Sequence, residues 1–439
     1  MGKALHTDLY ELNMAASYLK RGMTGPATFS LFIRSLPEGW GFFVACGLEA
    51  ALDWLAGLRF EDQDLAYLAD VHGYPAQTLD ALRDLRFTGE VRAVPEGRVV
   101  YPGEPLLELT APLPEAQLAE TYLLNQLTYQ TAVASKAARC RLAAPGRQMV
   151  DFSLRRVHGV EAGTAVARAT AIAGFAATSN VDAARRLGLR ATGTMAHSYV
   201  EAFPAELEAF RAFAEDFPEH VTLLVDTYDT PSGVDKAIEV AGELEARGGA
   251  LHGIRLDSGD MAALAVDARQ RLDEAGLRTV QIFASGALDE HRIAGLAQTP
   301  IDAFGVGSKI GVAADAPFLD SVYKLVEVDG RPVAKLSTGK ATLPGRKQVW
   351  RTEDGDVVGL EDEPGPEGAE PLLVAVMHEG RITAPQTWED ARDRCAADLD
   401  RLPEGQRSLK AEAPVVHTSD GLQRLTEEVR AVIRRRELG

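Results

Sequence analysis

An α/β fold with a parallel sheet is what the sequence predicts for its central part, on two observations. Between about residues 148 and 310, short apolar runs rich in Val, Ile, Leu and Phe alternate with longer segments of helical character. Sheets covered by helices on both faces give that rhythm. The apolar runs also end alike, in small or polar residues: Arg155, Ser179, Asp226, Asp257, Ser285 and Gly307. A barrel gathers such strand ends on one face, where binding sites form. With 439 residues, two or three domains are expected, with boundaries near 130 and 320.

Taken in order, Leu9, Leu12 and Met14 give a helical spacing near the N-terminus. ATFSLFIRSL and GFFVACG read as strands, LEAALDWLAGL and DLAYLADV as helices. Residues 88–112 alternate β-branched residues with Pro-Glu-Gly and Pro-Gly-Glu turns, the pattern of a small β module. Helix resumes with Leu123, Leu124, Leu127 and Val133. The central α/β series follows over 131–320. After it, VYKLVEVDGRPVAKLS carries a hairpin signal, and LTEEVRAVIRRREL closes the chain as a surface helix.

Composition narrows the function classes. Apolar residues at 46% and charged residues at 25% describe a globular chain. A net charge of −18 argues against a general polyanion-binding surface, so no nucleic-acid partner is expected. Cys46, Cys140 and Cys395 are too scattered for a disulfide framework or a cysteine-rich zinc site. No stretch approaches the roughly 20 apolar residues of a membrane span, and the N-terminus lacks a leader's apolar run. A cytoplasmic chain with no membrane partner is expected.

RLDSGD, Arg255 to Asp260, is the most informative local stretch. Its carboxylates suit ribose hydroxyls or a hydrated Mg²⁺, and its arginine suits a carboxylate or phosphate. A helix cap at Asp257 or Ser258 is the plainer use of the same residues. Ser285–Gly286 and Gly305–Val306–Gly307–Ser308 follow strands, and their backbone N–H groups could meet one phosphate. His197, between small residues at a helix start, is either structural or a nucleophile or general base. Phe152 and Arg155 lie an odd number of positions apart, so they reach one site only if the strand ends before Arg155. Lys335, Lys340, Arg346, Lys347 and Arg351 form a basic stretch, read either as solvated or as a phosphate clamp.

Together, HTDLYELNM, GTMAHS, RLDSGD, ASGALDE, GVGS and KLSTGKATLPG resemble, in order and over residues 5–430, the nicotinate phosphoribosyltransferase family. The resemblance implies an irregular α/β barrel and a second α/β sandwich domain built from 1–130 and 321–439. It implies the joining of nicotinate to 5-phosphoribosyl 1-pyrophosphate, giving nicotinate mononucleotide and pyrophosphate, with ATP hydrolysis coupled through a phosphohistidine. His197 matches the phosphorylated histidine. Tyr10, Thr194 and Arg255 match nicotinate contacts, and Thr342 matches a phosphoribosyl-pyrophosphate contact. A homodimer is implied, with the N-terminal segment reaching the neighbour's site. FSLFIRSLPEGWGFF departs from the family's usual pattern, so Arg34 is given no role.

The candidate site is therefore His197 and Asp257 as catalytic residues. Tyr10, Phe152, Arg155, Ser179, Thr194, Arg255, Ser258, Ser285, Gly286, Gly307, Ser308 and Thr342 are the substrate-binding residues. ATP and Mg²⁺ are the expected cofactors, with no protein metal ligand assigned. The rival enzyme reading is a nicotinamide phosphoribosyltransferase, which carries an acid where Ser179 stands; an acid would repel a carboxylate. A quinolinate phosphoribosyltransferase needs neither ATP nor the histidine. The non-enzyme rival is a nucleotide-binding barrel without turnover.

Overall fold

The computed structural model describes residues 4–337, 341–412 and 414–437 and divides into two units. One comprises residues 1–132 and 318–439, the other residues 133–317. The boundary falls inside the helix Glu120–Ala143.

In the first unit both chain ends enter one sheet. The strand Pro26–Ile33 pairs antiparallel with Ser321–Val328 on one side and with Pro105–Pro112 on the other. Leu31 thereby faces Tyr323 and Leu107 across neighbouring strands. The sheet has seven strands, and Glu90–Ala93 and Val374–His378 continue it beyond Pro105–Pro112. The segment 88–112 is thus not a separate β module: its main strands lie inside this sheet, because Val91, Leu107 and Leu109 are apolar and fully buried. Stacking of Phe29 on Tyr323, with centroids 4.6 Å apart, adds to the core. The hairpin after Val328 turns through Asp329 and Gly330, both left-handed, as the Asp-Gly signal requires.

The second unit is built on six parallel strands: β1 Gln148–Asp151, β2 Ala177–Thr178, β3 Val221–Leu224, β4 Leu251–Leu256, β5 Gln281–Ala284 and β6 Ala303–Val306. Their order is β2-β1-β6-β5-β4-β3, an open half-barrel. Helices follow the strands, and four start on a side-chain cap. Asn180, Asp229, Asp260 and Asp289 accept the N–H groups of Ala183, Ser232, Ala263 and Arg292. The helix after RLDSGD is therefore capped by Asp260, not by Asp257 or Ser258, which frees those two for other contacts. Ile254, Ile282 and Phe304, on adjacent strands, are completely buried, and truncating one to Ala would cost about 2–5 kcal/mol.

A buried ion cluster anchors the end of β5. Glu290, fully buried at the start of the helix Glu290–Leu296, pairs with Lys136 at 2.8 Å and Arg139 at 3.1 Å. Lys136 is also held by Asp315, so removing Glu290 would take away one of its two carboxylates and a carboxylate from Arg139, weakening a buried ion cluster. The cluster fixes the helix that follows the loop from Ser285.

Candidate functional site

One cavity, at the ends of β1, β2 and β4, holds six residues of the candidate set. It measures about 330 Å³ and is lined by Phe152, Arg155, Ser179, Thr194, Arg255 and Asp257, with Leu154, Gly193, Met195 and Ala196. Phe152 and Arg155 share it because β1 stops at Asp151 and the chain enters a 3₁₀ turn, Leu154–Arg156. Asp151 makes that stop. Its carboxylate accepts the Ser153 N–H at 2.9 Å and the Thr178 hydroxyl at 2.7 Å, tying the ends of β1 and β2 together. Burial still pushes the Asp151 carboxyl above its ordinary pKa, against those hydrogen bonds.

Arg255 leaves β4 beside β3 and β5, in register with Leu224 and Phe283. Its Nη1 donates to Thr194 Oγ1 at 2.6 Å, and its buried Nε has no protein partner. Burial lowers the guanidinium's pKa, and the nearby Asp257 and Asp226 only partly offset this. A charged donor in that condition gains most from an anion that completes its hydrogen bonds.

Asp257 follows β4 and is held from the next strand. The Ser285 hydroxyl donates to Asp257 Oδ1, and the Ser285 N–H donates to the Leu256 carbonyl at 2.8 Å. Ser285 therefore positions Asp257. Its N–H, which the sequence offers to a phosphate, is already engaged. Gly286 adopts φ 98°, and a methyl group there would come within 2.0 Å of the Asp257 carbonyl oxygen, so only glycine lets the two loops touch.

Two residues outside the candidate set join this region. Asp226 Oδ2 accepts the Asp257 N–H at 3.0 Å and the Ser258 hydroxyl at 2.6 Å, while its buried Oδ1 has no protein partner. Thr227 Oγ1 lies 3.1 Å from Nδ1 of His197, at the start of the short helix His197–Glu201. The signal for both is the polar end of VTLLVDTYDT, which reads as a strand end without identifying what its side chains meet. Gly307 and Ser308 open the one-turn segment Ser308–Gly311, where the Ser308 side chain is exposed.

Tyr10 and Thr342 belong to the other unit. Tyr10 sits in the helix Leu9–Lys20 and is 47% exposed, so it is not a core aromatic. Thr342 is buried, and its hydroxyl accepts the Lys335 N–H at 3.0 Å. In the basic stretch beside it, three of the five cations are neutralised within the protein. Lys347 is buried against Glu108 at 3.1 Å, Arg346 pairs with Glu361, and Arg351 is held by Asp356 and Asp398. Acids between 5 and 239 positions away consume these charges. Lys340 lies outside the described residues. No group of three or more His, Cys, Asp or Glu side chains among the described residues has metal-site geometry. No helix among them is long and apolar enough to cross a membrane.

Comparison with known proteins gives one consistent similarity. Residues 5–128 match the nicotinate phosphoribosyltransferase N-terminal domain, and residues 147–354 match the nicotinate phosphoribosyltransferase family. Nicotinate phosphoribosyltransferase pncB2 of Mycobacterium tuberculosis is 49% identical over 417 residues, covering 93% of this chain and 89% of that protein. The Bacillus subtilis nicotinate phosphoribosyltransferase is 45% identical over 377 residues, covering 82% and 76%. The crystal structure of human nicotinic acid phosphoribosyltransferase superposes with a TM-score of 0.87 at 30% identity, covering 96% of this chain and 99% of that one.

Proposed function

Because the chain belongs to the nicotinate phosphoribosyltransferase family, we propose that the Phe152–Arg255 cavity holds nicotinate for attack on 5-phosphoribosyl 1-pyrophosphate, with ATP hydrolysis coupled through His197. The observation that carries the base assignment is the buried Arg255 guanidinium, with Nε unpartnered in a cavity walled by an aromatic ring. A carboxylate can accept from Arg255 while the pyridine ring lies against Phe152. Ser179, on the same cavity, puts no negative charge beside that carboxylate. This supports nicotinate over nicotinamide.

The pyridine nitrogen lone pair forms the new bond to the ribose anomeric carbon as the bond from that carbon to pyrophosphate breaks. Positive charge develops on the ribose, and the electron pair leaves with pyrophosphate. Asp257, immobilised by Ser285 and the Asp226-bound backbone, places a fixed negative charge near the ribose. Arg255 and Phe152 align the base, which removes rotational freedom before reaction. Gly286, Gly307 and Ser308 offer backbone N–H groups to the 5-phosphate.

Mg²⁺ fits the acids present. The unpartnered Oδ1 of Asp226 and the Asp257 carboxylate supply hard oxygen donors, and substrate phosphates and water would complete the shell. Bound there, the ion would neutralise pyrophosphate charge. His197 is the proposed acceptor of the ATP γ-phosphoryl group, later released to water as phosphate. Its Nδ1 contact with Thr227 holds the ring orientation, and phosphorylation would add roughly two negative charges beside the site. The acting form is proposed to be a cytoplasmic homodimer. The three buried cysteine thiols fit a reducing compartment.

The test is product analysis with nicotinate, nicotinamide and quinolinate, each with and without ATP. Nicotinate alone should give its mononucleotide and pyrophosphate, with ATP raising the yield. Equal turnover of nicotinamide would overturn the base assignment, and indifference to ATP would overturn the coupling.

A further inference from the structure

The aromatic wall of the base cavity rests on a residue with no side chain. Gly305 lies in β6, paired with Val150 of β1. Phe152 follows β1, and its N–H donates to the Val306 carbonyl at 2.8 Å, so its backbone is fastened to β6. A methyl group at Gly305 would fall 2.5 Å from both Cδ2 and Cε2 of Phe152. Carbon atoms settle at about 3.5–4.0 Å. The ring thus lies against bare backbone at a distance that every other residue forbids. Its centroid is 6.3 Å from that of Phe283, with the planes 24° apart.

The conformation of Gly305 does not explain the glycine. Its φ is not among the left-handed values, and strand backbone of this kind suits any residue. Glycine inside a strand costs conformational entropy and packing, and marks a close approach. Here the approaching group is the Phe152 ring, which lines both the 330 Å³ base cavity and an adjoining one of about 620 Å³ shared through Gly193 and Thr194. With cavities beside it, the ring needs a backstop to keep one position.

We propose that Gly305 is a positioning residue for the base: by lacking a side chain it seats the Phe152 ring, and the seated ring sets the plane in which nicotinate lies. The inference rests on the assignment of Phe152 to the base cavity. A methyl group at Gly305 displaces the ring by about 1 Å to restore normal contact. The base then loses its wall, while groups that hold phosphoribosyl pyrophosphate keep theirs.

A double-mutant cycle in the full-length enzyme tests this, using Gly305→Ala, Phe152→Ala and the double variant. Direct nicotinate binding and the KM values of both substrates are the readouts. Gly305→Ala should weaken nicotinate binding at least tenfold and leave the phosphoribosyl-pyrophosphate KM within about twofold. In the Phe152→Ala background, where the methyl group has room, Gly305→Ala should change nicotinate binding by less than twofold. A tenfold effect in that background, or equal loss for both substrates, would overturn the role of Gly305. If Gly305→Ala alone does not fold, folding of the double variant would show that the methyl group clashes through Phe152, and a double variant that also fails to fold would overturn the role of Gly305. Unchanged nicotinate binding in Phe152→Ala would instead overturn the base-cavity assignment itself.

Discussion

Arg255 donates through Nη1 to the Thr194 hydroxyl at 2.6 Å, yet keeps a buried Nε without a protein acceptor. The first contact fixes the guanidinium plane; the second leaves a directed donor in a small cavity. One residue of RLDSGD and one of GTMAHS, 61 positions apart, thus form the anion receptor proposed for nicotinate.

The first prediction follows from that receptor. Arg255→Ala should weaken nicotinate binding by about 2–5 kcal/mol, because the base carboxylate then loses its buried partner. Arg255→Lys should recover only part, since an ammonium cannot reproduce the fork that spans Thr194 and the base. Calorimetric titration with nicotinate checks both. Unaltered affinity in the two variants would place the carboxylate elsewhere.

Coupling gives the second prediction. His197→Ala should abolish ATP-stimulated turnover and the incorporation of label from γ-labelled ATP, while slower ATP-independent ribosyl transfer persists. Transfer survives because Arg255, Phe152 and Asp257 line the cavity without help from His197. Labelling of the variant at the wild-type level would remove His197 from the phosphoryl path.

The third prediction concerns pH and the helix that carries Tyr10. Glu11 is buried, and burial lifts its carboxyl to about 7, against hydrogen bonds from Thr121 and Thr7 that favour the charged form; Glu120 lifts it further. The fold therefore favours protonated Glu11. The stability this group contributes is fully present below its ordinary value of 4.5 and is lost as pH rises through 7. Glu11→Gln should raise Tm relative to wild type at pH 8, and the difference should shrink toward pH 5. A difference independent of pH between these limits would show that Glu11 does not titrate there.

The sequence makes the centre of the site legible where chemistry is concentrated locally. Arg255 and Asp257 stand two residues apart at one strand end, and such a cluster exceeds what capping needs. Long-range pairing is what a single chain hides. Lys347 looks like a loop cation, and only the fold brings Glu108, 239 positions away, to its backbone N–H and Nζ. Asp226 reads as the polar end of a strand until β4 brings the Asp257 N–H to it. Gly305 reads as part of a phosphate loop, because its neighbours Gly307 and Ser308 have that composition. Its packing against Phe152 depends on β1 and β6 being adjacent, although residues 152 and 305 are far apart in sequence.

The last prediction concerns assembly and Tyr10. The family resemblance implies a contact between Tyr10 and the base, although Tyr10 lies on the helix Leu9–Lys20, outside the unit that holds the Arg255 cavity. Half its surface is exposed, which suits a ring that meets another molecule better than one that fills a core. Its phenol is neutral at working pH, and partial burial, followed by Glu120 and Glu11, raises its pKa further. A neutral aromatic ring can stack on an electron-poor pyridine. If the ring comes from a second subunit, Tyr10→Ala and Asp257→Ala homodimers should each be nearly inactive, since every site carries one defect. Mixing them under conditions that exchange subunits makes half the dimers mixed. In a mixed dimer one site carries both defects and the other neither, so activity should return to about a quarter of wild type. Size-exclusion chromatography with differently tagged chains verifies the exchange. Verified exchange without recovered activity would mean that Tyr10 serves its own chain or no site at all.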